Sequence, residues 1–207
     1  MAYNEKQLKC KIVDYILRNY HPQLIGLEVP FFGGRRWADV LLITGDNKLI
    51  AFEIKSDFDS FRRIKAQLPD YAKTFDQTYL MLSPKFCQKK TLASLPGYIG
   101  IGTFSRDSGV PQMLRKAPME DRLAKTHLSY FLWNEDLAEY RKNKRETVTK
   151  IRARLKRNVS IRDLRKSAIR VLLKRYKTRY SRFLSEKSVA TQVEDLVWLT
   201  RSLGEIS

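Results

Sequence analysis

Residues 49–55 read LIAFEIK, an apolar, strand-like run that carries two opposite charges near its end, Glu53 and Lys55. In an extended chain successive side chains point to opposite sides, so Leu49, Ala51, Glu53 and Lys55 share one face and Ile50, Phe52 and Ile54 the other. One face is wholly apolar. The other turns charged toward its C-terminal end, which makes it either a solvated rim or the beginning of a functional site. Just upstream, WADVLLIT at 37–44 is a second strand candidate, and the intervening Gly45-Asp46-Asn47-Lys48 is a short hairpin signal. The loop length decides what Glu53 faces. A three-residue loop through Gly45, Asp46 and Asn47 sets Asp39 across from Glu53 on the same side, whereas a two-residue turn through Asp46 and Asn47 sets it across from Ile54. The odd-length loop, or a bulge that restores the parity, is the expectation.

Working outward, Asn4 is placed to cap a helix running to about Asn19, with Leu8, Ile12, Tyr15 and Ile16 at helical spacing and His21-Pro22 as its stop. LIGLEVPFF reads as a strand, followed by a turn at Gly33-Gly34. After the hairpin, a helix is expected from near Asp59 or Ser60, kinked at Pro69, because proline removes a backbone hydrogen bond and crowds the preceding turn. QTYLMLS is a further strand, Ser83-Pro84 opens another helix, and GYIGIGTFS with VPQMLRK forms a last hairpin. The order is α, β, β, β, α, β, an α/β fold.

The chain of 207 residues, 43% hydrophobic, is long enough for one good core and an appended subdomain. Its formal net charge of +18 implies a polyanionic partner, either nucleic acid or an anionic membrane surface. That charge is not spread evenly. Residues 141–182 hold 18 lysines and arginines against 2 acids, Glu146 and Asp163, so +16 of the total lies there. Beneath the charges Val148, Ile151 and Leu155, then Leu164, Ala168, Val171, Leu172 and Tyr176, keep a helical rhythm, and Ser160 with Asp163 fits a capping box. We therefore divide the chain into a domain over 1–120 and a basic helical subdomain over 121–207. Cys10 and Cys87 have neither paired spacing nor a histidine cluster, which argues against a disulfide framework or a zinc site. No apolar run approaches the roughly 20 residues of a membrane span, and the N-terminus lacks the arrangement of a signal peptide. The expectation is a cytoplasmic protein.

With Asp39 and Glu53 converging beside Lys55, two carboxylates and the backbone carbonyl of Ile54 offer hard oxygen ligands for Mg²⁺ or Mn²⁺. These residues resemble the motif of the PD-(D/E)XK, or restriction-endonuclease-like, nuclease superfamily, whose αβββαβ core the element order also resembles. Gln67 and Tyr71, spaced Gln-x-x-x-Tyr on the following helix, resemble the extra motif of RecB-type nucleases. Glu5 resembles the N-terminal glutamate that Holliday-junction resolvases add to the metal shell. Ala38 stands where the motif's name has proline. The resemblance covers about the first 120 residues and implies a bacterial branch of the superfamily, acting as a Mg²⁺-dependent deoxyribonuclease. Asp39, Glu53, Lys55, Gln67 and Tyr71 would then be its catalytic residues.

Several other positions have two readings. Glu28 and Glu5 are either further metal ligands or, respectively, a rim residue and a first-turn carboxylate facing the helix dipole. Arg35, Arg36, Arg62, Arg63 and Lys65, with Arg152, Arg154, Lys156, Arg157, Arg165, Lys166 and Arg170 on the basic helices, are candidates for contact with a nucleic-acid backbone, most naturally DNA. Trp37 reads as core in preference to a base-stacking platform. Asp57 reads as a partner for Lys55 or a helix cap, and His21 and His127 are given no chemistry. A homodimer is compatible with the sequence. The competing readings are a nucleic-acid-binding module without catalysis on the same scaffold, and a scaffold whose basic helices dock an acidic protein or membrane surface.

Overall fold

The computed structural model describes residues 3–61 and 64–200. It is a mixed α/β structure around one six-stranded sheet, with strands in sequential order. Helix α1 spans Glu5–Asn19 and starts where the side chains allow it to start. The Asn4 side chain accepts from the Gln7 amide, and the Gln7 side chain accepts from the Asn4 amide in return. Strands β1 (Pro22–Phe31), β2 (Arg36–Thr44) and β3 (Leu49–Lys55) form an antiparallel meander. The chain then crosses over through α2 (Ile64–Ala72) to β4 (Gln77–Leu82), parallel to β3, and through α3 (Lys89–Ala93) to β5 (Gly100–Phe104), parallel to β4. Strand β6 (Pro111–Arg115) closes the sheet as an antiparallel edge. Helix α2 is described from Ile64, later than its expected start, and it accommodates Pro69 within its length.

The β2–β3 connection is the three-residue loop. Thr44 donates to the Lys48 carbonyl (3.0 Å), Asn47 donates to the Thr44 carbonyl (2.9 Å), and Asn47 takes the left-handed conformation (φ 62°) that this loop requires. The register Val40↔Phe52 and Leu41↔Ala51 follows. Continued one residue, it sets Asp39 opposite Glu53. All of β3 except Lys55 is buried, and Glu53 is only 5% exposed, so its charged end is no solvated rim.

The C-terminal part contains α4 (Lys125–Ser129), α5 (Asn134–Ala138), α6 (Val148–Asn158) and the long α7 (Ile161–Glu186), which Ser160 caps by accepting from the Asp163 amide. Ala168, Val171, Leu172, Tyr176 and Phe183 of α7 belong to the same apolar cluster as Leu8, Ile12 and Ile16 of α1 and the sheet between them. Leu128, Leu132, Leu137, Ile151, Leu155 and Leu164 make a separate cluster from α4 to α7 and the α4–α5 connection. A long-range clamp fixes the two parts together. Arg165 of α7 grips both oxygens of Asp76, which is 3% exposed, and donates to the Asn47 carbonyl (2.6 Å) in the hairpin loop. Asp76 in turn accepts from the Leu49 amide at the start of β3 (2.7 Å). Among the described residues no helix is long and apolar enough to cross a membrane.

Trp37 corrects one expectation. It is 53% exposed, not core, because it stands at the outer end of β2 on the side that carries Asp39.

Candidate functional site

The site lies where α1, β1, β2 and β3 meet, and it is a cluster of four carboxylates and two lysines. Glu53 Oε1 receives Lys55 Nζ at 2.6 Å, while its Oε2 bonds the hydroxyl of Tyr71, which reaches up from α2. That hydroxyl also lies 3.0 Å from the Trp37 carbonyl. Asp39 Oδ2 accepts the Ile54 amide at 2.7 Å, which ties β2 to β3 through a side chain. Lys9, four residues after Glu5 on the inner side of α1, brings its ammonium to Glu5 (2.5 Å), to Glu28, and to Asp39 Oδ1 (3.8 Å). The oxygens of Glu5, Glu28 and Asp39 all lie within 4.8 Å of one another.

Glu28 takes its place by an unusual backbone. It sits at φ 51° inside β1, in the left-handed region that a non-glycine residue occupies at a cost, and such outliers gather at functional positions. Glu5, Lys9 and Glu28 line an open cavity of about 780 Å³ together with Val193, Leu196 and Val197.

Burial and the neighbouring Glu53 charge push the Asp39 carboxyl well above the usual carboxylate range, against the opposing pull of Lys9 and the Ile54 amide. For Lys9, burial works to lower the pKa, but Asp39, Glu28 and Glu5 outweigh it and the ammonium is held above its ordinary value. Lys55 behaves likewise, with Glu53 as the main opposing charge. Burial, then Glu53 and Asp39, raise the Tyr71 phenol far out of the range in which it ionises. All four carboxylates are hard oxygen donors suited to a divalent cation, yet the position that such an ion would share is next to the Lys9 ammonium.

Asp39, Glu53, Lys55 and Tyr71 are thus brought together, with Glu5 and Glu28 alongside. Gln67 is not engaged there: its amide oxygen is buried and has no donor among the described residues. Asp57 bonds the Ser83 hydroxyl, and among the described residues it shows neither a pairing with Lys55 nor a helix cap. Arg36 is bound to Asp70 (3.0 Å), and Arg35 is exposed over the Phe32 ring. Arg62 and Arg63 lie outside the described residues, and Lys65 is exposed on α2. On the basic helices Arg152 donates to the Leu132 carbonyl, Arg154 pairs with Glu146, Arg165 with Asp76 and Arg170 with Glu139, while Arg157 and Lys166 are exposed. Lys156 is half-buried. Lys9 is the residue that the sequence reading missed. Its signal was a lysine among the inward positions of α1, one helical turn after Glu5.

A family model described as Bacteriophage P4 protein cII matches residues 1–200. The chain belongs to the bacteriophage P4 protein cII family. Protein cII of Enterobacteria phage P4 is 28% identical over 136 residues, 63% of this chain and 50% of that protein, so the chain spans about half the length of this relative. Among solved structures, a protein of unknown function from Silicibacter pomeroyi, SPO1766, is similar at 18% identity and a TM-score of 0.44, over 60% of this chain and 78% of that one.

Membership of the P4 cII family overturns the assignment to the PD-(D/E)XK superfamily, and with it the reading as a phosphodiester-cleaving nuclease and hydrolase. The physical reason is visible in the site. Acid, short hairpin, then acid-x-lysine fixes which side chains meet on a sheet, and here that meeting satisfies each group internally. Glu53 is matched by Lys55 and Tyr71, Asp39 by an amide, and Glu5 and Glu28 by Lys9. Such spacing specifies a place and not a reaction.

Proposed function

We propose that this chain binds nucleic acid, most naturally DNA, through the outer face of α7. The observation that carries this reading is a row of cations: Arg162, Lys166, Arg170, Lys174 and Lys177 recur at helical spacing and are all exposed, while Leu164, Ala168, Val171, Leu172 and Tyr176 on the opposite side are buried. Only Arg170 has a carboxylate partner in this row among the described residues, the exposed Glu139. The fifteen steps from Arg162 to Lys177 rise about 22 Å, which matches the span of several backbone phosphates. A cytoplasmic location, where nucleic acid is accessible, goes with this reading.

The carboxylate cluster is the second part of the proposal. Glu5, Glu28 and Asp39 would hold Mg²⁺ or Mn²⁺ if Lys9 withdrew, and the ion would supply a positive centre for a backbone phosphate. Until then Lys9 stands in as the cation and offsets part of the charge of the three carboxylates.

Titrating labelled duplex DNA with the protein over a range of salt tests the first part. The parent should bind more weakly as salt rises, and Lys166→Glu with Lys174→Glu should weaken binding and flatten the slope of log K against log salt by about one per cation removed. Binding that ignores salt, or a double variant that binds like the parent, would refute the nucleic-acid reading.

A further inference from the structure

Trp37 is an exposed aromatic beside a polar site. Of the three tryptophans in the sequence, the other two are covered by guanidinium groups: Arg175 lies 3.9 Å from the Trp133 ring centre and Arg182 lies 3.7 Å from that of Trp198. Leaving an indole half in water forgoes much of the stabilisation that burial would give it, so its position calls for a partner. The ring belongs to a held segment of backbone. Its carbonyl is 3.0 Å from the Tyr71 hydroxyl, which also bonds Glu53, so the platform and the carboxylate cluster are fastened to the same phenol. The β2–β3 register, carried three residues beyond Val40↔Phe52, sets Trp37 opposite Lys55. Phe58, 75% exposed, follows three residues after Lys55 in the turn leaving the same strand.

Charge selects what can stack there. Four carboxylates, Glu5, Glu28, Asp39 and Glu53, stand against two ammoniums, Lys9 and Lys55, a formal balance of −2 when all are ionised. A phosphate is repelled from such a place, whereas a neutral ring is not. Arg35, exposed and two residues from Trp37, remains able to meet the phosphate of a strand whose base lies on the indole.

We infer that Trp37 is a base-stacking platform, so that this end of the sheet takes unpaired nucleotides of single-stranded nucleic acid in preference to duplex. This rests on the nucleic-acid reading above and adds a class of substrate to it. Aromatic platforms tolerate any base sequence because every base has a π face, and loss of one weakens binding by roughly tenfold or more.

The test compares a fluorescein-labelled oligo-dT single strand with a labelled hairpin duplex of equal length, using anisotropy at fixed salt. The parent, Trp37→Ala, Trp37→Phe and the Lys166→Glu/Lys174→Glu double variant are measured side by side, with melting curves for each. The expected result is that Trp37→Ala loses about tenfold on the single strand and little on the duplex, that Trp37→Phe keeps most of the affinity, and that neither alters the salt slope. Trp37→Ala binding both substrates like the parent overturns the platform; if the double variant still loses affinity, the basic-face reading survives alone. A parent that binds neither substrate overturns both.

Discussion

The two cationic regions of this molecule use their charge in opposite ways. At the carboxylate cluster, Lys9 of α1 and Lys55 of β3 are largely enclosed and each faces carboxylates. On the outer face of α7, Lys166, Lys174 and Lys177 point into water. An enclosed cation is determined by its partners: removing it leaves acids without compensation, and the fold suffers. An exposed cation is nearly free of consequence for the fold, and its effect appears only when a polyanion arrives. Net charge alone conceals this difference, since both kinds count equally toward +18.

The contrast breaks most visibly at Arg165, which lies on the basic helix but behaves as an interior group. Its partner Asp76 is almost wholly buried and also holds the Leu49 amide. Arg165→Met should cost about 3 kcal/mol or more in urea denaturation, because it strands a buried carboxylate. A loss under about 0.5 kcal/mol, the ordinary range for surface substitutions, would place Arg165 with the exposed row.

Next in size is Lys9→Met. Glu5 and Glu28 have side chains 45% and 43% exposed, so water takes over part of the lost interaction. We expect a loss of about 2 kcal/mol, less than for a fully enclosed pair. Because the three carboxylates are then left facing one another, the melting temperature of Lys9→Met should rise with added Mn²⁺ or Mg²⁺ more than that of the parent. A melting curve indifferent to either ion would remove the cation from the proposed function and leave Lys9 a structural residue.

These two residues show what the sequence could and could not convey. The meander, the Asn4 cap, the three-residue loop and the meeting of Asp39 with Glu53 follow from local spacing and turn chemistry, and all were legible. Tyr71 entered only through the Gln-x-x-x-Tyr resemblance, and its bond to Glu53 is seen only in the fold. Arg165 was not legible, because its partner is 89 residues away and only the docking of α7 brings them together. Read along the helix, Arg165 and Lys166 are adjacent cations; in the fold one is a clamp and the other is solvated. Trp37 failed for a related reason: an aromatic in a strand is usually core, and the end of a strand is where that expectation weakens. The same limit applies to the motif around Glu53, whose spacing describes a placement and not a reaction.

A finer test concerns Asp39, whose carboxyl is held well above the usual range by burial and by Glu53. A raised folded-state pKa means that the native protein binds a proton more tightly than the unfolded chain does. The ionised group is then a burden that grows as pH rises from the ordinary carboxylate value, near 4, toward the raised one. Asp39→Asn keeps an oxygen to accept the Ile54 amide and removes the burden. It should therefore melt above the parent at pH 7 to 8, with the gap closing as pH falls below about 4, where the parent carboxyl is protonated in both states. A variant that melts below the parent across that range would show that the pairing with Lys9 outweighs the crowding with Glu53.

The smallest expected effect on the fold is at the other end of the comparison. Lys166→Glu with Lys174→Glu reverses two exposed charges on α7 without touching its buried side, so unfolding free energy should change by less than about 0.5 kcal/mol. Relief of like-charge crowding within the row even favours the variant slightly at low salt, and that gain should vanish by about 0.5 M salt as screening shortens the range of the interaction. Measuring stability and DNA affinity on the same preparation separates the two roles. An α7 face that serves only recognition loses binding at constant stability. A face that also supports the fold loses both together, and the division between enclosed and exposed cations would then have to be redrawn along α7.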